Sequence, residues 1–234
     1  MARVVDLAVA ADAMDLPPVS GELPELANVR WRKRVDERLL RRADRVWTVS
    51  AVAHEVPFLA TAVALPLLAP VLAVVSVFAL GFAWTIPALY AARGAGVLRP
   101  LRRRPGAGDA AEQRALGLLG DLVGHEARAL VMRTGLVVER GRFGVWVVGP
   151  AGALLVRPGG RRVQCYCVGV ADAELPPADR VAHLLLALRA DESGFATVAN
   201  LTFSGACWRL RRPLSPAARE GLAAGVRVAR TRLR

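Results

Sequence analysis

Residues 56–92, VPFLATAVALPLLAPVLAVVSVFALGFAWTIPALYAA, carry no charged side chain. This 37-residue run constrains the fold more than any other feature of the 234-residue chain. A helix that crosses a bilayer needs about 20 apolar residues. A surface helix of a soluble domain shows polar side chains every turn, and none recur here. The run therefore reads as a membrane segment. It is not a cleavable leader: it begins after residue 55, and the acidic start MARVVDLAVAADAMD has no continuous apolar region.

The run is long for one span and just long enough for two tight ones. Arg38, Arg41, Arg42 and Arg45 precede it, and Arg93, Arg99, Arg102, Arg103 and Arg104 follow it. Positive residues prefer the cytoplasmic side, so two positive flanks call for an even number of crossings. The expectation is a transmembrane helical hairpin turning within residues 69–76, where Pro70 and Ser76 interrupt the apolar run. One kinked span from about Pro70 to Ala92 is the alternative.

Composition narrows the classes that remain. Hydrophobic residues make up 54% of the chain, charged residues 22%, and mean hydropathy is +0.34. That excludes a disordered chain. Three cysteines exclude a disulfide-framework fold. The net charge is +12, and Lys33 is the one lysine among 32 basic residues. With abundant Ala, Gly, Val and Leu, that bias suits a high-GC bacterial coding sequence, so arginine number alone says little about chemistry.

The organisation expected is an acidic flexible segment over 1–29, a basic amphipathic helix over 30–55, the membrane block over 56–92, an Arg/Gly/Pro linker over 93–108 and a C-terminal α+β domain over 109–234. In the last, a helix is expected from about Ala110 to Met132. Short β-type runs follow at LVVER, GVWVV, ALLVR and RVQCYCVGV. A helix over 177–189 comes next. A second hairpin is expected from FATVANLTF to ACWRLRR, turning at Ser204-Gly205. A last helix opens on Ser215 as N-cap with Pro216 behind it. Without a βαβ rhythm the sheet should be mostly antiparallel.

Catalytic constellations are sparse. Cys165 and Cys167 share one face of a strand, and Cys207 and His183 complete a possible Cys/His nucleophile or zinc set. The C-x-C spacing and scattered partners favour core cysteines instead. No phosphate loop, nucleophile elbow or paired carboxylates stand out, so neither a cofactor nor a metal is expected. His54 and Glu55 read as hydrated flank residues rather than a proton-handling pair. Arg209, Arg211 and Arg212 read as a charged edge. Nucleic acid is disfavoured for want of aromatic stacking platforms.

The expected function is a membrane-anchored, non-enzymatic protein of the inner membrane, with N-terminus and α+β domain cytoplasmic. The domain would serve as a protein-interaction or regulatory module for an unknown protein partner. Arg41, Arg42, Arg45, Arg102, Arg103 and Arg104 would face anionic headgroups. A membrane-tethered Cys/His enzyme and a nucleic-acid-binding domain are the alternatives.

Overall fold

The computed structural model describes residues 33–99, 109–168 and 175–231. The segment 1–29, residues 30–32 of the expected basic helix, the Arg102–Arg104 triplet and the rest of 100–108 lie outside the described residues. The fold is α+β, with eight α-helices among the described residues, two of them long and apolar, and one five-stranded antiparallel sheet.

Helix α1 (Glu37–Leu68) opens where Asp36 accepts a hydrogen bond from the Leu39 amide at 2.7 Å, with Glu37 in the first turn. Both groups oppose the positive end of the helix dipole. It then continues through Pro57 and Pro66 into the apolar block, so the basic and apolar segments share one helix. Pro70 ends it. The residue before a proline is pushed out of the helical region, and Ala69 is extended at φ −156°, ψ 125°. Pro70 opens a 3-10 turn (Pro70–Leu72) that feeds α2 (Ala73–Ala95).

The two helices run antiparallel. Phe58 lies 6.1 Å from Phe82 and Trp47 lies 6.0 Å from Tyr90, ring centre to ring centre. Buried Ala62, Ser76 and Ala79 are small enough to let the backbones approach. The reversal thus sits in the stretch expected for it, but proline geometry makes it rather than polar turn residues.

The sheet is a meander in sequence order: β1 (Val137–Arg140), β2 (Val145–Gly149), β3 (Gly152–Val156), β4 (Arg162–Cys167) and β5 (Asn200–Ala206). β2 and β3 are buried at every position. Alternation sends Trp146, Leu155 and Tyr166 to one face and Val147, Leu154, Val163 and Cys165 to the other. The first face packs on α3 (Asp109–Val123), α4 (His125–Thr134), α5 (Pro177–Ala190), α6 (Glu192–Val198) and Leu40 of α1. The second packs on the end of α2, the 3-10 turn Gly96–Leu98, α7 (Cys207–Arg211) and α8 (Pro216–Thr231). Residues 93–98, expected to open a surface linker, instead complete this second layer, with Ala95, Val97 and Leu98 buried.

Two further expectations are corrected. The helix expected over 110–132 breaks at Gly124, whose φ of 79° suits a residue without Cβ, and gives α3 and α4. The second hairpin expected over 195–212 does not form. Residues 192–198 are α6, because Asp191 caps the Gly194 amide at 2.9 Å and Phe195 packs edge-on against Trp146 at 5.6 Å. Glu192 reinforces this by accepting from the Arg142 and Phe143 amides and from Trp146 Nε1. Ser204-Gly205 is not a turn: β5 runs straight through it, paired with Gln164 and Val163. The ladder ends when the Cys207 amide bonds Arg161 O, and Cys207 opens α7 rather than lying on a strand. Tertiary packing overrode local β preference here.

A buried polar joint fixes α1 to the sheet. Gln164, fully buried, donates from Nε2 to Leu40 O at 3.1 Å and to Asp44 Oδ1 at 3.2 Å, and accepts from the Tyr166 hydroxyl at 3.2 Å. Ser204 Oγ donates to the same Asp44 oxygen, and Arg162 Nε lies 3.5 Å from Asp44 Oδ2. Arg162 also reaches Thr48 Oγ1 at 2.9 Å. Nearer the start of α1, Glu37 pairs with Arg157, which in turn donates to Phe143 O. Opposite, Gly94 of α2 lies so close that a Cβ there would sit 2.4 Å from Phe203 Cβ.

Removing the Asp44 carboxylate leaves Gln164, Ser204 and Arg162 without their shared acceptor. Asp44→Ala is expected to lower unfolding stability by about 3 kcal/mol, with Asp44→Asn costing less because its amide oxygen still accepts. Denaturant unfolding of the detergent-solubilised full chain measures both. Equal stability of wild type and Asp44→Ala would contradict the joint.

Candidate functional site

The outer side of α1 is an apolar stripe. Val46, Val49, Val52, Val56, Leu59, Val63 and Leu67 are exposed at three- and four-residue spacing. Val74, Val77, Phe78 and Trp84 extend it along α2, and the tip residues Leu67, Leu68 and Val71 are 81%, 80% and 79% exposed. A contiguous apolar surface of this extent is foreign to a soluble monomer. Both helices are long and apolar enough to cross a membrane.

Where the hairpin leaves the sheet, polar groups and tryptophans gather around it. Glu55 of α1 lies 3.8 Å from Arg209 of α7. The Arg209 guanidinium also lies 5.4 Å from the ring centre of exposed Trp208, and Arg212 lies 5.4 Å from that of Trp84 on α2. His54 is exposed, and its Nδ1–H donates to Ser50 O of its own helix at 2.6 Å. The collar therefore unites α1, α2 and α7. Amphipathic indole rings and arginine forks are the side chains that suit a membrane–water boundary.

Two grooves flank the Glu55–Arg209 pair. One, about 270 Å³, runs between α1, α2 and β5, walled by Trp47, Phe58, Ile86, Tyr90 and Phe203. The other, about 220 Å³, is bounded by Trp84, Pro87, Trp208, Arg209 and Arg212. Each combines apolar walls with charged groups at its rim.

The cysteine and histidine candidates do not form a site. Cys165 and Cys207 lie together in the core on the face covered by α2, α7 and α8, and Cys167 is half-buried beside them. His183 is exposed on α5, across the sheet. Burial pushes the Cys165 thiol well above its ordinary value, with neighbouring Cys207 adding to the rise. Cys207 is also raised by burial, against the pull of Arg211 and Arg230. Both stay protonated at neutral pH, the unreactive form of a thiol. Among the described residues, no three His, Cys, Asp or Glu side chains gather as metal ligands.

Arg41, Arg42 and Arg45 are exposed on α1. They stand ten or more residues before Glu55, roughly 15–20 Å up the helix from the collar. That exceeds the screening length of about 8–10 Å at physiological salt. The nearer cations, Arg209 and Arg212, lie in the stretch that reads as a strand end from sequence. The signal available was Trp208 beside them, an aromatic with no core position to fill.

No protein-family model matches this chain, and no curated protein or solved structure is similar to it.

Timed alkylation of the folded chain, read site by site by mass spectrometry, should modify Cys167 first. Cys165 and Cys207 should lag by at least roughly tenfold until denaturant is added. A Cys165 that reacts as fast as Cys167 would mean an accessible thiolate.

Proposed function

We propose that this protein is a membrane-anchored, non-enzymatic module of a bacterial inner membrane. The hairpin of α1 and α2 inserts into the bilayer, and the sheet with its helices rests on the cytoplasmic surface, available to a protein partner. One observation carries the reading: the exposed apolar hairpin meets a collar of Glu55, Arg209, Arg212, Trp84 and Trp208 where it leaves the sheet. Arginines flanking residues 56–92 on both sides favour a body and chain ends on the cytoplasmic side.

The body continues into the hairpin through a single helix, since α1 is both sheet cover and membrane leg. A module built this way holds its partner-facing surface at a fixed height and tilt above the lipid. Anionic headgroups are the lipid partner, met first by Arg209 and Arg212 and more distantly by Arg41, Arg42 and Arg45. Each arginine near the surface contributes about 1 kcal/mol to attraction.

Vesicle flotation tests this. The full chain, reconstituted from detergent, should float with phosphatidylcholine vesicles and remain with them after alkaline carbonate washing. Binding should strengthen when phosphatidylglycerol is added. Arg212→Ala should reduce that anionic preference roughly fivefold and leave carbonate resistance intact. A chain that is monodisperse in buffer without detergent, and ignores vesicles, would refute the proposal.

A further inference from the structure

Length and apolarity suit both helices for crossing, but much of each is committed elsewhere. The first part of α1 is bolted to the sheet through Glu37, Leu40, Asp44 and Thr48. The last part of α2 is buried in the sheet's second face through Ala91, Gly94 and Ala95. Beyond the collar, both helices are free of the sheet.

The collar limits how far the hairpin can sink. Arg209 is paired with Glu55 at the level of Trp84, and Arg211 and Arg212 are exposed beside it. Drawing α7 into hydrocarbon would strip water from three guanidinium groups and a carboxylate, which is costly at any depth. The headgroup boundary therefore falls at the collar. Trp84 and Trp208 sit there as interfacial anchors.

Below that boundary, α1 contributes residues 56–68 and α2 contributes residues 73–83. At 1.5 Å per residue these legs are about 20 Å and about 17 Å long. The hydrocarbon core is about 30 Å thick. The tip residues 69–72 add about 5 Å, so a hairpin standing upright passes the midplane and ends about 5 Å short of the far headgroups, and any tilt shortens its reach.

The tip chemistry agrees. A turn emerging on the far side would sit among headgroups and water, where polar turn residues are favoured. Here the tip reads Leu65-Pro66-Leu67-Leu68-Ala69-Pro70-Val71-Leu72, without one polar side chain. Its turn is largely paired within the backbone. The Ala69 amide bonds Leu65 O, the Leu72 amide bonds Ala69 O, the Ala73 amide bonds Pro70 O, and Pro70 has no amide proton to satisfy.

Resting on the membrane reading above, we infer that the hairpin enters from one face of the bilayer and ends inside it, with its tip seated in the acyl chains of the opposite leaflet. Its ligand is the hydrocarbon interior itself. The protein is a one-sided wedge that exposes nothing beyond the far surface.

The test uses the full chain with Cys165, Cys167 and Cys207 replaced by alanine, checked for native circular dichroism. Single cysteines are introduced as Leu68→Cys at the tip and Ser50→Cys above the collar, and the protein is reconstituted into sealed phosphatidylcholine/phosphatidylglycerol vesicles. A membrane-impermeant maleimide is applied from outside or trapped within. Should the triple-alanine background misfold, the same tip cysteine in the native-cysteine chain is followed by peptide mass spectrometry.

The expected result is that residue 50 labels from the body side, whereas residue 68 labels from neither side. A bimane on residue 68 should be quenched more strongly by lipids spin-labelled near the acyl chain end than by headgroup-labelled lipids. A control with seven apolar residues inserted in each leg, about 10 Å more reach, should label from the far side. Labelling of the unlengthened tip from the far side overturns the inference and leaves the anchor standing. Labelling of the tip from the body side overturns both, because the hairpin then lies outside the bilayer.

Discussion

The shared carboxylate of Asp44 is the point on which the architecture turns. It lies on a helix that continues into the apolar hairpin, yet its acceptors serve β4 and β5 through Gln164, Arg162 and Ser204. A buried carboxylate is tolerable only when its lone pairs are filled and a cation stands near. Here Oδ1 accepts from Gln164 and Ser204, and the Arg162 guanidinium stands 3.5 Å from Oδ2. The consequence is positional: α1 cannot slide or rotate along the sheet without leaving a charge unpaired. Gly94, pressed against Phe203 on the other leg, gives the same restriction by steric means. Polar registry on one leg and close packing on the other make hairpin and sheet a single lever.

That rigidity gives the collar its meaning. Trp208 and Arg209 belong to a short helix that begins where the β5 ladder ends, with Arg212 just past its end, and they meet Glu55 and Trp84 only because the hairpin is held against β5. A boundary between apolar and charged surface therefore arises from tertiary structure. It joins the two consecutive helices of the hairpin to a third, α7, that begins more than 100 residues later in the chain.

Much of the α+β class was legible. The uncharged run, the proline at its centre, the four strands of the meander and the Ser215-Pro216 helix start are local signals. The Ser215 hydroxyl does accept from the Ala218 amide, at 3.3 Å. What escaped was decided at a distance. Residues 195–198 look β-prone, but Phe195 gains more by packing on Trp146 within a capped helix. Gly205 looks like a turn residue, but its place opposite Val163 in the ladder makes it extended. The collar was hidden for the same reason: Glu55 and Arg209 are separated by most of the sheet. Cys165-Tyr166-Cys167 was readable as alternation on a strand, and the face each thiol occupies followed from the sheet's two covered sides.

The sequence separation across the joint also sets an order of events during synthesis. Asp44 and Ser204 are 160 residues apart. At about 5–20 residues per second, the carboxylate waits roughly 8–30 s for the hydroxyl that will bond it. For roughly the last two-thirds of that interval, once Ala95 is made, the hairpin is complete and apolar, while the strands that will hold its base are not yet all made. Under the proposed membrane reading, the anchor is available to a bilayer before the body is complete, and the sheet then assembles on a helix that the lipid holds.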